Sequence, residues 1–106
     1  KLKTDKLFKV KYVTRKLIAY SFWVGGYTKK SRTFELLGIS YEEFCSYMET
    51  KFEKGMSWDN HGEWHIDHII PLSSATNEQE IIKLNHYTNL QPLWAEDNLR
   101  KGSKIL

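Results

Sequence analysis

The chain has 106 residues, enough for one compact domain and too few for two of ordinary size. It is 41% hydrophobic and 14% aromatic, so it can bury a core, and its 27% of charged residues is ordinary for a water-exposed globular surface. No apolar run approaches the roughly 20 residues that span a bilayer, so no membrane partner is expected. A single cysteine, Cys45, rules out an internal disulfide and a four-cysteine zinc site, and it fits a reducing cytoplasm. There is no signal-peptide pattern and no initiator methionine, so the start at Lys1 is silent on targeting.

The net charge of +3 hides a strong asymmetry. Residues 1–38 carry ten Lys and Arg against two acids, residues 39–96 carry three against ten, and residues 97–106 carry three against one. Both ends are basic, which is an electrostatic footprint for phosphate. A solvated helix face gives the same count, so charge alone does not decide between them.

In chain order, residues 5–23 read as a helix capped by Asp5, with Leu7, Val10, Leu17, Ile18 and Val24 at helical spacing and Lys9, Arg15 and Lys16 largely off that stripe. Gly25-Gly26 breaks it, and Lys29, Lys30 and Arg32 form a basic loop. Thr33 is expected to cap a short helix ended by Gly38. Ser40 with Glu43 is a capping box opening a helix over residues 41–52, with Phe44, Tyr47, Met48 and Phe52 inward and Gly55 as its stop. Cys45 reads as a small core residue, because nothing near it would lower its pKa. Residues 64–72 read as a strand bent or ended by Pro71, and Asn77 with Glu80 as a second capping box for a helix to Leu84. Residues 87–93 read as a second strand, and residues 95–101 as a last helix closed by Gly102.

Three polar motifs fall on this strand, strand, helix unit. They are His65-Ile66-Asp67-His68-Ile69-Ile70-Pro71, Thr88-Asn89-Leu90-Gln91-Pro92-Leu93 and Asp97-Asn98-Leu99-Arg100-Lys101-Gly102. In this order they resemble the HNH endonuclease family, whose fold is the ββα-metal unit. Phe52, Gly55-Met56-Ser57-Trp58 and Trp64 are also similar to phage and bacterial members. An isolated Asp-His pair would carry no such resemblance.

The resemblance implies metal-dependent hydrolysis of DNA, leaving 5′-phosphate and 3′-hydroxyl ends, in the cytoplasm of a bacterial or phage-infected cell. It matches the family's three positions to His68, Asn89 and Asn98, the last being Asn where the family name records His. Asp67 and Asn98 would hold one divalent cation; their oxygens suit Mg²⁺ or Mn²⁺, whereas zinc is better served by imidazoles or thiolates. His68, with an ordinary pKa near neutrality, would be the general base. The Asn89 amide would tie the hairpin together and hold the backbone of the site. Adjacent strand residues face opposite ways, so bringing Asp67 and His68 together implies a distorted strand.

Around that centre, Arg100, Lys101 and Lys104 are candidate phosphate clamps, and Lys29, Lys30 and Arg32 would extend the track. His65 shares the strand face of Asp67 and reads as a residue supporting the site rather than a ligand. His61 reads as solvent-exposed and His86 as a packing or hydrogen-bonding residue. Trp58, Trp64 and Trp94 read as core more than as base-stacking groups. RNA is less favoured than DNA, since no RNA-binding aromatic motif stands out. The alternative function is a DNA-binding module that keeps the fold without useful catalysis. The expected architecture is α+β: a basic helical region, residues 1–54, packed on a ββα unit, residues 55–106, as one domain.

Overall fold

The structure is a computed structural model that describes the backbone of residues 2–102 and the side chains of residues 5–102. The described residues hold five α-helices, one two-stranded antiparallel sheet and three short 3₁₀ turns; the helices and strands are α1 Leu2–Gly25, α2 Thr33–Leu37, α3 Tyr41–Thr50, β1 Trp64–His68, α4 Glu78–Leu84, β2 Leu90–Trp94 and α5 Ala95–Lys101. Among the described residues, no helix is long and apolar enough to cross a membrane.

The first helix begins before Asp5, which lies in its first turn and does not cap it. Val10, Thr14, Ile18, Ser21 and Phe22 form its buried face. Val24, expected on that face, is exposed, because the stripe turns away as the helix ends. Thr33 is the first residue of α2 and is buried, and Arg32 takes the capping position. Gly38 ends α2 at φ +89°, and a Cβ there would meet the His86 ring at 2.6 Å, so both backbone and neighbour demand glycine. The capping box of α3 forms as expected: Ser40 Oγ accepts from the Glu43 amide at 3.1 Å, and Glu43 accepts from the Ser40 amide at 3.3 Å. That helix stops at Thr50, short of Phe52, whose ring instead packs on Trp58 and Trp64.

Both strands are shorter than expected. β1 ends at His68 and not at Leu72, and residues 87–89 form a 3₁₀ turn before β2. At α4, Asn77 caps the Glu80 amide at 2.9 Å, but the Glu80 carboxylate turns back to Thr76. That hydrogen bonding holds the Glu80 carboxyl below its usual range.

One apolar cluster joins the two halves. Val10, Ile18 and Phe22 of α1, Phe44 and Met48 of α3, Trp58, Trp64 and Ile66 of the hairpin side, and Leu90 of β2 are all buried in it. Trp58 and Trp64 are core, as expected, whereas Trp94 is half-buried and its indole donates to Glu53 at 3.0 Å. Cys45 is buried, and its thiol is pushed up to about 11, chiefly by that burial, so it is a poor nucleophile.

Candidate functional site

The sheet register runs without interruption from Trp64↔Trp94 to Asp67↔Gln91 and His68↔Leu90. Side chains therefore alternate between faces along β1, and the distortion implied by the family resemblance is not present. Asp67 points to α5 and His68 points to the end of α4. The two are neighbours in sequence whose functional groups diverge.

On the first face, Asp67 is 7% exposed. Lys101 Nζ donates to its Oδ1 at 3.1 Å and lies 2.9 Å from Oδ2, and Gln91 Nε2 donates to Oδ2 at 2.9 Å. The same ammonium donates to the His68 carbonyl at 2.6 Å. Lys101, expected to clamp phosphate from the surface, is thus buried. A desolvated carboxylate needs a counter-charge, and the last turn of α5 delivers one. Asn98 lies three residues earlier on α5, half-buried, on the helix face that Lys101 shares.

On the second face, His68 Nε2 lies 2.8 Å from Asn85 Oδ1. The Asn85 amide nitrogen donates to the Ile81 carbonyl at 3.1 Å and to Ser21 Oγ at 2.7 Å. Ser21 Oγ in turn donates to the Ile18 carbonyl at 2.6 Å. Because the Ile81 carbonyl can only accept, it orients the amide, and the amide oxygen then requires a proton on His68 Nε2. Neutral His68 therefore keeps its lone pair on Nδ1. Burial favours this neutral form and pulls the imidazole below its ordinary pKa, against the opposing pull of Asn85 and Asp67.

Asn89 clamps the hairpin ends. Its side-chain nitrogen donates to the carbonyls of Leu84 at 2.9 Å and Ile70 at 3.2 Å, and its side-chain oxygen accepts from the Ile70 amide at 2.9 Å. Its backbone carbonyl accepts from Ile69 at 2.8 Å. His65 is exposed two positions before Asp67, with its ring 5.7 Å from that of His61. His61 is half-buried, not solvent-exposed, because it packs edge-on to Trp64, and burial lowers its pKa. His86 Nδ1 lies 2.9 Å from Thr88 Oγ1, a hydrogen-bonding role.

Arg100 is exposed and pairs with Glu96 and Asp97 of its own helix. Lys30 and Arg32 are exposed and Lys29 is half-buried, on the loop after α1. Lys104 lies outside the described residues. Sequence reasoning missed the roles of Asn85, Ser21 and Gln91. Gln91 lies within the Thr88–Leu93 motif, but its place opposite Asp67 follows only from the strand register. Asn85 reads in sequence as an ordinary helix-end residue.

Asp67 and Asn98 offer hard oxygen donors, which fit Mg²⁺ or Mn²⁺. A carboxylate has about four lone-pair positions, of which Lys101 and Gln91 engage three, so Asp67 retains acceptor capacity. Among the described residues, no group of three or more His, Cys, Asp and Glu side chains converges. A cation held here would draw most of its shell from other oxygens such as water.

The fold class is α+β. No known family model matches the chain, and no solved structure matches it. Two curated proteins of Acanthamoeba polyphaga mimivirus are similar to it. Uncharacterized protein L426 is 39% identical over 106 residues, covering 97% of this chain and 46% of that protein. Uncharacterized protein L246 is 32% identical over 100 residues, covering 92% of this chain and 43% of that protein. The chain thus spans about half the length of the curated relatives it matches.

Proposed function

We propose that this chain is an HNH-type, metal-dependent endonuclease that hydrolyses DNA phosphodiesters. The observation that carries the reading is the β1–β2–α5 unit itself. It brings the last turn of α5 onto the Asp67 carboxylate through Lys101, with Asn98 one turn earlier on the same helix, in a chain whose three motifs follow the order that the HNH resemblance implies. Mg²⁺ or Mn²⁺, when bound, would offset the charge that develops on the phosphate and on the leaving 3′ oxygen. Asp67 and Asn98 would hold it. Asn89 ties the hairpin ends together through Ile69, Ile70 and Leu84. His68, neutral and with Nε2 tied to Asn85, would take a proton from the attacking water on Nδ1. Since His68 and Asp67 leave opposite faces of β1, this role requires the strand end to bend or the ring to leave Asn85 when substrate is bound.

A second reading is favoured by one observation. The Lys101 ammonium already neutralises Asp67, as a DNA-binding module without catalysis would tolerate. Nicking of supercoiled plasmid, in Mg²⁺, Mn²⁺, Zn²⁺ and chelator, separates the two. The nuclease reading expects cleavage in Mg²⁺ or Mn²⁺ and its loss in chelator and in Asp67→Ala. Full activity in excess chelator defeats it. DNA binding without nicking in any metal leaves the binding module.

A further inference from the structure

The loop after α1 and the start of α2 fold against the flank of α1 and the first residue of α3. They enclose a cleft of about 460 Å³ lined by Arg15, Lys29, Arg32, Thr33, Phe34 and Tyr41. Its size falls within the roughly 300–1,000 Å³ of clefts that enclose small ligands. Three of its six lining residues are cations and none is an acid. Among the described residues, neither Arg15, Lys29 nor Arg32 forms an ion pair. Of the two acids next in sequence to lining residues, Glu35 accepts from the Arg32 backbone amide at 3.1 Å as part of the helix start, and Glu42 follows Tyr41 in the first turn of α3. The Tyr41 ring carries two cations within reach, Lys11 Nζ at 5.7 Å and Arg15 Cζ at 5.9 Å from its centroid. Phe34 is 39% exposed.

Like charges gathered around one hollow repel each other, and an entering anion relieves that repulsion. An exposed aromatic ring in the same hollow adds a flat apolar surface. Together they match a phosphate joined to a planar ring system. In a duplex the bases are stacked on one another and offer no free face, so only an unpaired nucleotide can use Phe34. We propose that this cleft anchors one unpaired nucleotide of a DNA strand, its phosphate on Arg15, Lys29 and Arg32 and its base against Phe34. The proposal rests on the nucleic-acid reading above for the class of partner, but it needs neither a metal nor cleavage.

The test is fluorescence anisotropy, in chelator, with a labelled oligothymidylate and a hairpin-closed duplex of equal length. The single strand should bind more tightly than the duplex. Phe34→Ala should weaken single-strand binding by about five-fold or more and leave duplex binding unchanged. Phe34→Leu, which keeps bulk and loses the ring, should act in the same direction if Phe34→Ala does not fold. Arg15→Ala with Arg32→Ala should weaken single-strand binding and lower the salt slope by about one to two. Equal binding of both probes, unaffected at Phe34, overturns the nucleotide cleft while leaving DNA binding in place. Binding of neither probe overturns both. Thymidine monophosphate that binds as tightly as the oligomer overturns the strand-anchor role in favour of a free-nucleotide site.

Discussion

The ammonium of Lys101 bridges the two carboxylate oxygens of Asp67, at 3.1 Å and 2.9 Å, with side-chain exposures of 1% and 8%. A cation recruited by Asp67 therefore meets a positive charge already in place. Lys101 is the electrostatic rival of any metal at this carboxylate, and it also holds the strand end through the His68 carbonyl.

Lys101→Met should expose that rivalry. Removing one partner of a buried ion pair leaves an uncompensated charge, which typically costs about 3–5 kcal/mol. Thermal denaturation should show this loss in chelator and a partial recovery in millimolar Mn²⁺ or Mg²⁺, with a larger metal-dependent rise than in the parent protein. A melting temperature indifferent to metal in the variant would remove Asp67 from the ligand set.

His68 and Asp67 should separate in kinetics. On the proposed mechanism, His68→Ala would remove the base and leave the oxygen donors, so cleavage should fall by about 10² to 10⁴ while metal affinity persists. Asp67→Ala should lower both together, and high metal concentration should rescue it partly. Calorimetry of metal binding beside single-turnover cleavage decides between these roles. If His68→Ala loses metal as badly as Asp67→Ala, His68 is a ligand and not a base.

Acid should weaken the fold through His68. Burial holds its folded pKa below the ordinary value, so the unfolded chain binds the extra proton first, at about pH 6.5. The contribution is fully present above that pH and is lost as pH falls through the lower folded value. His61 is shifted the same way by burial and adds to the effect. Urea midpoints measured on acidification below about pH 6.5 should decline, and His68→Gln should flatten the decline. An unchanged profile in that variant would assign the acid sensitivity to other groups.

Asn85 should set the tautomer. Nitrogen-15 spectra of the neutral protein should show His68 protonated at Nε2. Asn85→Ala should abolish that preference and destabilise the fold by about 1–3 kcal/mol, because Ser21 and His68 both lose a buried partner. Retention of the same tautomer in Asn85→Ala would mean that another group holds the ring.

Most of the helices were legible because their signals are local. Ser40 with Glu43, Gly38, and the residues of α5 up to Gly102 specify starts and stops within a few positions. The strands were legible in place but not in extent, since Ile69 and Ile70 carry strand propensity yet are held by Asn89 and not by a neighbouring strand. Among the candidate site residues, Asp67 and Asn98 could be placed on facing elements from their motifs. The burial of Lys101 could not, because a lysine beside Arg100 on a short helix reads as surface until the register shows which residue faces the Asp67 carboxylate. The partnership of His68 with Asn85 and Ser21 spans elements far apart in sequence, and no local pattern encodes it.

That partnership has a consequence for how the protein can be divided. Asn85 is fully buried and ties Ser21 of the first helix to His68 at the end of β1. The basic amino-terminal helix is then no detachable arm that merely delivers charge to a self-sufficient hairpin. It supplies one wall of the histidine's socket. A shortened protein beginning after that helix would lose the socket along with the charge, and grafting the hairpin and α5 alone onto another scaffold would carry the motif residues without the surroundings that tune them.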